Sequence, residues 1–319
     1  VLRDFGAVSF MRYSTFTRAL YIQYQSSFDR TGAAVLALVL VLLTLFVLLI
    51  EIRTRGRANY YGGHVGAVGN PMKMQLGYWR WPSLLFCASI VILSLLMPAS
   101  ILIHWFLRGI RNTMAFSSLW LSAWNSMVAS GLASGLVLLA AIPVAWLSVR
   151  QNGRMAMLLE RISYSAFALP GMVVALAMVF FGANYANPVY QTFNFLLVGY
   201  LIMFIPQAVG ALRTSFLQIS PSIEQAARTL GKNPLNVFRT ITVPVSWPGI
   251  AAGFALVFLT VMKELPITLI LGPLGFSTLA TSVWSAVEEA MFGAAAAPAL
   301  LLILLSSVPM ASIILKERV

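Results

Sequence analysis

The sequence predicts an all-α, polytopic membrane protein with about seven transmembrane helices. Of its 319 residues, 60% are hydrophobic and only 9% are charged, whereas a soluble domain has about 25% charged residues. The mean hydropathy is +0.86, and long apolar runs recur along the whole chain. So few charges cannot cover a water-facing surface on a chain of this length, and lipid is the expected solvent.

Seven apolar segments approach the length of about 20 residues that a helix needs to cross the bilayer core. Helices are expected in these segments because every backbone polar group in lipid must be satisfied internally. The predicted spans are 32–50, 82–107, 122–149, 163–183, 192–212, 248–272 and 294–315.

The formal net charge of +12 has two interpretations. In a soluble chain it would favour nucleic-acid binding, whereas in a membrane protein it reflects the excess of Lys and Arg in cytoplasmic loops. The basic residues lie between apolar runs, which favours the second interpretation and predicts contact with lipid and no nucleic-acid partner. Basic residues follow spans one, three, five and seven, so we expect those segments, including the C-terminus, in the cytoplasm.

Residues 1–31 precede the first span, so this orientation places them on the side opposite the cytoplasm. They fit the charge rule poorly, because they contain Arg3, Arg12, Arg18 and Arg30. A re-entrant or protein-buried stretch would reduce the conflict. Residues 54–81 are glycine-rich and predict a linker. The chain is therefore expected to divide into 1–53, with its helix at 32–50, the cytoplasmic linker 54–81, and 82–319 with six spans.

The cysteine and histidine residues predict no cross-link or metal site. Cys87 is the only cysteine, which excludes a disulfide within the chain. His64 and His104 lie far apart, and no cluster has the spacing of zinc ligands.

The N-terminal stretch resembles a stretch near the C-terminus. Asp4-Phe5-Gly6 aligns with Glu264-Leu265-Pro266, and in each case an acidic residue precedes a small or helix-breaking one. In both stretches an apolar span follows, and basic residues come after that span. Internal repeats are common in transporters, where two halves line one pathway. We therefore expect residues 1–53 to be the end of a first half whose beginning is missing, and 82–319 to be a complete second half.

The loop 213–246 has the pattern of a helix, a break and a second helix. Ser220-Pro221 suits a helix start, since Ser caps and Pro fits the first helical position. Glu224 follows in the first turns, where the helix dipole favours an anion. Gly231 is placed for a left-handed stop. Asn233-Pro234 repeats the start signal, and Pro244 is expected to end the second helix.

This loop resembles the EAA loop of type I ABC-importer permeases, whose pattern is Glu-Ala-Ala, three residues, Gly, nine residues, Ile, one residue, Leu-Pro. Here Gln225-Ala226-Ala227, Gly231, Ile241 and Pro244 stand at those spacings. Gln225 departs from the family's Glu, with Glu224 one residue earlier, and Val243 replaces Leu. The resemblance implies a type I importer transmembrane domain whose coupling helices dock on an ATPase, with the small Ala226 and Ala227 allowing close approach. An ordinary amphipathic interfacial loop is the alternative.

Two further stretches resemble fused ferric-iron permeases of the binding-protein-dependent class. The first consists of 262–268 and 275–284, which look like part of the second half of such proteins. The other is 4–9, which looks like the end of their first half. The resemblance implies two cytoplasmic ATPase subunits, a periplasmic iron-binding protein and an inner-membrane location. It implies no cofactor on this chain, with ATP and Mg²⁺ on the ATPase. Related permeases for thiamine, phosphonate or sulfate remain alternatives.

Lys263 and Glu264 fall deep in the sixth predicted span, where a charge costs at least about 2.5 kcal/mol. One interpretation is that they line or gate a pathway, together with the repeat-related Asp4. The other is an ion pair with another helix, or a break near the outer interface. In either case Pro266 is expected to break the helix just after these residues.

Catalysis by this chain is not predicted. Gly231-Lys232 lacks the upstream Gly and the following Ser or Thr of a phosphate-binding loop, so we expect no ATP hydrolysis here. No His-Glu-x-x-His or Gly-x-Ser-x-Gly is present. An ion-coupled secondary transporter would also explain the repeat and the charges at 263–264, but not the cytoplasmic loop centred on Gly231.

Overall fold

The computed structural model describes residues 5–25, 30–54, 77–110, 116–151, 153–166 and 169–317. Within these ranges the chain is helical with no strand, which confirms the predicted fold class. The helices are α1 (Gly6–Phe10), α2 (Phe16–Gln25), α3 (Arg30–Thr54), α4 (Arg80–Val91), α5 (Met97–Ile110), α6 (Phe116–Arg150), α7 (Arg154–Ser165), α8 (Gly171–Tyr185), α9 (Phe193–Leu217), α10 (Pro221–Thr229), α11 (Pro234–Val237), α12 (Val243–Met262), α13 (Pro266–Leu271), α14 (Leu279–Glu288) and α15 (Phe292–Glu317).

Five helical stretches are long and apolar enough to cross a membrane. They are Gly77–Ile110, Ser118–Arg150, Phe193–Leu217, Pro234–Met262 and Phe292–Pro309. Two shorter apolar helices, Thr31–Val47 and Gly171–Tyr185, coincide with the first and fourth predicted spans. The described residues therefore form a polytopic bundle, as the hydropathy predicted.

The core of the bundle is formed by α6, α9 and α12, which pack against one another. The face of α6 in this core carries small residues, including the buried Ala133 and Ala141. Small side chains allow the backbones of membrane helices to approach closely. Helix α9 fills the space with large buried side chains such as Tyr200, Phe204 and Phe216.

The repeat is visible in the order and length of the helices. Helices α1, α2 and α3 have 5, 10 and 25 residues, and α13, α14 and α15 have 6, 10 and 26. Phe5 and Leu265, which precede α1 and α13, share nearly the same backbone angles (φ −113°, ψ −48° and φ −106°, ψ −56°). Both side chains are buried in one cluster with Tyr21 and Trp284. The two stretches thus share the order and approximate lengths of three helices, here called the three-helix repeat, whereas the division into permease halves stays a prediction.

Parts of the predicted organisation lie outside the described residues. These are Asp4 and the segment 55–76 of the linker. The described end of the linker differs from the prediction, because Gly77–Trp79 form a short 3₁₀ turn and α4 begins at Arg80. Helix begins there because the dense glycines have ended and Pro82 falls in the first turn, where a proline is tolerated.

The predicted fourth span, 163–183, was wrong as a single helix. Residues 163–165 belong to α7, and α8 starts only at Gly171. Pro170 precedes α8 in an extended conformation (φ −63°, ψ 141°). Proline has no N–H and disfavours the α conformation in the preceding residue, so the helix cannot run through this point.

The bounds of one predicted span and one predicted helix end near a proline were also wrong. The sixth span was placed at 248–272, but α12 runs from Val243 to Met262. The predicted break at Pro266 is present, because the chain leaves α12 before Pro266, which starts α13. Pro244 does not end a helix, because a π turn at Phe238–Thr242 leads directly into α12. The wide turn relieves the clash that the proline ring would make with the carbonyl four residues earlier. The same arrangement precedes Pro98, after the π turn Ile92–Leu96.

Candidate functional site

Helix α10 begins and ends at the predicted residues. Ser220 occupies the N-cap position and Pro221 the first helical position, but the side chain of Ser220 makes no capping bond to the backbone. At the other end Gly231 has φ +84°. The N–H of Lys232 donates to Ala227 O at 3.2 Å, and the N–H of Gly231 donates to Arg228 O at 3.0 Å. These two bonds form a Schellman motif, which requires a left-handed residue and so explains the glycine.

The second part of the loop starts with a side-chain cap and continues into the membrane helix. The N–H of Asn236 donates to Asn233 Oδ1 at 2.8 Å, and Pro234 opens α11. Helix α11 has only four residues and passes into the π turn and α12 without interruption. The loop is therefore joined rigidly to α12 on one side and, through two connecting residues and Ser220, to α9 on the other.

A buried polar network holds α10 to this frame. Nε of Arg150 lies 3.0 Å from Glu224 Oε2, and its Nη2 donates to Glu224 Oε1 at 3.1 Å. The hydroxyl of Thr242 donates to the same Oε1 at 2.9 Å. Arg150 also donates to the carbonyl of Ile219 at 3.0 Å. Because the side chains of Arg150 and Glu224 are only 12% and 8% exposed, solvent screens their attraction little.

One arginine thus joins three elements. Arg150 ends α6, Ile219 follows α9, and Glu224 belongs to α10. Thr242 adds the π turn that leads into α12. The network therefore connects α10 to the three helices that form the core of the bundle, and a displacement of α10 must either move them or break these bonds.

The residues predicted for coupling do not share one environment. Gln225, Ala226, Gly231 and Pro244 are exposed, and Ile241 is half-buried. Ala227 is only 6% exposed, so it packs inside the chain and offers a partner little surface. Glu224 is directed inward to Arg150 and does not project from the loop. The exposed surface of the loop combines the apolar Ile223, Leu230 and Leu235 with polar and charged residues such as Arg228 and Lys232.

Arg150 and Thr242 were missed by sequence reasoning. Arg150 ends an apolar span, where an arginine is expected from the charge bias alone. Its partner Glu224 lies 74 residues later in the chain, and no local pattern indicates this pairing. Thr242 stands between two motif positions, Ile241 and Pro244, and carried no signal of its own.

The second candidate site lies at the other end of α12, about 30 Å away by helical rise. Lys263 ends the helix and is exposed, whereas Glu264 is half-buried in the break. Glu264 Oε1 accepts from the N–H of Ile267 at 3.4 Å, so the carboxylate faces the start of α13. A Cβ built on Gly171 would lie 3.1 Å from the same oxygen, so α8 approaches the carboxylate closely.

Hydrogen bonds fix the backbone around this break. The hydroxyl of Thr268 donates to the carbonyl of Glu264 at 2.7 Å and lies 2.6 Å from the buried hydroxyl of Tyr200. The break in α12 is thereby tied to α9 in the core. The structure brings Glu264 next to α8 and α9, and it does not bring Glu264 near the coupling loop.

A comparison with protein families shows which family the chain belongs to. The family described as "Binding-protein-dependent transport system inner membrane component" matches residues 137–314. This range includes Arg150, the loop 213–246 and Glu264. The chain belongs to this family. It is therefore a multi-pass protein of an inner-membrane permease family, and its core is a type I importer membrane domain.

Members of the family with assigned substrates match to different extents. The Fe(3+)-transport system permease protein FbpB 2 of Haemophilus influenzae is 37% identical over 312 residues, which are 97% of this chain and 62% of that protein. The molybdenum transport system permease protein ModB of Escherichia coli K12 is 31% identical over 161 residues, covering 46% of this chain and 70% of that protein. The chain thus spans less than two thirds of FbpB 2.

A solved transporter structure has the same fold. The inward-facing MetNI methionine ABC transporter superposes with a TM-score of 0.54, covering 64% of this chain and 98% of that chain. The sequence identity is 15%, so this likeness concerns the fold alone.

Proposed function

We propose that this chain is part of the permease subunit of an ATP-driven, binding-protein-dependent importer, and that its substrate is ferric iron. The observation that carries the proposal is the network of Arg150, Glu224 and Thr242. It attaches a short helix, which carries the exposed apolar residue Ile223, to the core of the membrane bundle. Such an element can transmit a push from a soluble partner to the spans.

The partner that would push is an ABC ATPase. Helix α10 is nine residues long, which is marginal in isolation, so its exposed apolar residues are expected to dock on another surface. Closure of two ATPase subunits around ATP and Mg²⁺ would move α10, and the network would carry the motion into α6, α9 and α12. This alternating access requires no catalysis and no bound cofactor on the chain itself.

The orientation follows from the same assignment. The ATPase subunits act in the cytoplasm, so the loop 213–246, the linker and the C-terminus would lie there, in agreement with the distribution of Lys and Arg. The break at Lys263–Glu264 would then lie toward the periplasmic end of α12, where a substrate-binding protein delivers its cargo. Glu264 would line the pathway or its gate.

Ferric iron is proposed because the similarity to FbpB 2 runs through 97% of this chain. Permeases for phosphonate, thiamine or sulfate use the same architecture, and ModB is a molybdenum permease by name. The loop 213–246 therefore supports the class of importer, whereas the substrate is proposed from the similarity to FbpB 2 alone.

Uptake of labelled ferric iron tests the proposal. Cells that lack their own ferric importer would express the full-length gene with its ATPase and its binding protein. We expect ATP-dependent uptake that is lost when Gly231 is replaced by Val and retained when it is replaced by Asn, because Asn tolerates the left-handed conformation of this residue.

Each failure has a distinct meaning. A well-assembled complex that takes up no iron rejects the substrate but keeps the importer, and phosphonate, thiamine, sulfate and molybdate would be measured next. Uptake that continues without the ATPase and follows an ion gradient rejects the importer in favour of a secondary transporter.

A further inference from the structure

A cavity of about 600 Å³ lies between the two copies of the three-helix repeat. Its walls are α1 and α2 with the turn between them on one side, and α14 on the other. Its polar lining residues are Ser9, Arg12, Arg18, Tyr21, Gln25 and Glu288, and the ring of Trp284 closes one wall. None of these residues belongs to the coupling loop or to the break in α12.

The position of α14 places the cavity at the opposite end of the bundle from the coupling loop. The N–H of Leu279, the first residue of α14, donates to Ser126 Oγ at 2.7 Å, and Ser277 bonds to Ser122 at 2.9 Å. These serines lie near the start of α6, whereas Arg150 at its end holds the coupling loop. By helical rise Ser122 and Arg150 are about 40 Å apart.

Three buried polar atoms around the cavity have no hydrogen-bond partner among the described residues. They are the hydroxyl of Ser9, the hydroxyl of Tyr21 and Nε1 of Trp284. The residues are 7%, 7% and 4% exposed. Tyr21 lies close to Trp284 and Gln25, and Trp284 lies close to Glu288, yet none of these contacts has hydrogen-bonding geometry.

Unsatisfied groups of this kind call for a ligand, because nearly all buried polar groups in proteins are satisfied. The indole N–H can only donate, and both hydroxyls can donate. The partner that would satisfy all three is therefore a hydrogen-bond acceptor.

The charges of the cavity also favour an acceptor that is negative. Arg12 and Arg18 both line it, and neither has a carboxylate partner within the part of the chain that the structure describes. Arg12 is held in a left-handed conformation (φ +54°) at the turn after α1. One acidic side chain, Glu288, faces them, and burial raises the pKa of its carboxyl. Because two guanidinium groups and only one carboxyl line the cavity, its net charge is positive.

We propose that this cavity is a binding site for a small oxyanion, either a free phosphate or carboxylate or the phosphate of a lipid headgroup. Arg12 and Arg18 supply the charge, and Ser9, Tyr21 and Trp284 supply neutral donors. Guanidinium groups bind phosphate and carboxylate through paired N–H donors, which makes them the preferred residues for such ligands. The site joins α1–α2 to α14, so an occupied cavity stabilises the contact between the two repeats. The proposal is independent of iron as the transported substrate.

Binding measurements on the full-length permease, purified with its ATPase subunits, test this site. Inorganic phosphate and citrate would be titrated calorimetrically into the complex in phosphatidylcholine nanodiscs. A second arm would use native mass spectrometry to detect phosphatidylglycerol retained from mixed nanodiscs. Saturable binding in the first arm identifies a free anion, and retention in the second identifies a lipid headgroup.

The variants decide whether the cavity is responsible. We expect Arg12→Gln and Arg18→Gln each to weaken binding about tenfold, as loss of a charged hydrogen bond predicts. Tyr21→Phe removes only a hydroxyl and should weaken binding without disturbing the fold. Arg161→Gln is the matched control, because it removes an exposed arginine of α7 and should leave binding unchanged.

Several results would overturn the proposal. They are no binding in either arm, binding that survives both arginine substitutions, and equal weakening by Arg161→Gln. A wild-type complex that binds no oxyanion but loses its periplasmic binding protein on Arg18→Gln would show that the arginines contact a protein instead.

Discussion

The guanidinium of Arg150 and the carboxylate of Glu224 meet at 3.0 and 3.1 Å, although 74 residues separate them in the chain. The pair joins the end of the long helix α6 to the short helix α10. The hydroxyl of Thr242 also donates to Glu224, so that Oε1 of Glu224 accepts hydrogen bonds from both Arg150 and Thr242. Glu224 is therefore an internal anchor of the loop 213–246, and the proposed docking surface must consist of exposed neighbours such as Ile223 and Leu230.

Removing one partner of this pair should destabilise the loop strongly. Glu224→Ala leaves Arg150 buried without its counter-charge, which costs about 3–5 kcal/mol. We expect the purified permease to melt earlier and to retain less ATPase in a pull-down. Replacing both partners with apolar residues, in Arg150→Met with Glu224→Leu, removes the charge imbalance and should recover most of the stability. A double variant as unstable as the single one would contradict this account.

Gly231 acts through its backbone conformation. Its φ is +84°, and nothing lies within 4 Å of the position that a Cβ would take, so strain and not a clash will decide the effect of a substitution. Gly231→Val should cost roughly 1–2 kcal/mol or more and disturb the end of α10. Gly231→Asn should be nearly silent. ATPase pull-down and transport would be measured side by side, and equal losses for Val and Asn would point to a steric role at the partner.

Glu264→Gln should reduce transport while leaving assembly intact. The substitution keeps an acceptor for the N–H of Ile267 but removes the charge from the break in α12. Assembly would be measured by pull-down and transport by uptake in the same cells. Glu160→Gln is the control, since this carboxylate pairs with Arg213 at a partly exposed position of α7. Normal transport by Glu264→Gln would exclude a pathway role.

Glu288→Gln should strengthen oxyanion binding in the cavity between the repeats. The change removes the negative charge that faces Arg12 and Arg18 while keeping a side chain of the same size. We expect the dissociation constant of phosphate to fall several-fold, as loss of a repulsive charge requires. Calorimetry on the full-length complex provides the measurement. Weaker binding would mean that Glu288 contributes to the site as a ligand or as a structural group.

The packing of α9 against α12 depends on Gly249. A Cβ at this position would overlap with the side chain of Ser215 and also lie 3.6 Å from its Cα. Gly249→Ala should therefore destabilise the bundle by about 1–3 kcal/mol. Gly131→Ala is the matched control, because that glycine of α6 has open space around it and alanine favours helix by about 1 kcal/mol. Thermal unfolding of both variants in detergent would reveal the difference.

Most of the fold could be predicted because its determinants are local. Apolar length places the spans, and Gly231 and Asn233 set the helix boundaries in the coupling loop through bonds to residues within a few positions. The repeat was readable for the same reason, since each copy specifies its own three helices. Errors occurred at Pro170 and Pro244, where a proline can end a helix, begin one or follow a π turn, and packing selects among these.

The candidate site shows the limit of local information. The spacing from Gln225 to Pro244 was enough to predict a coupling role for this loop and the family of the chain, and the family match confirms the second. Only the tertiary structure decided that Glu224 and Ala227 face inward, that Arg150 is the counter-charge, and that Arg12 and Arg18 share a cavity with Trp284. The reason is physical: capping and hydropathy act within one helix, whereas ion pairs and cavities require side chains from helices that meet only when the bundle packs.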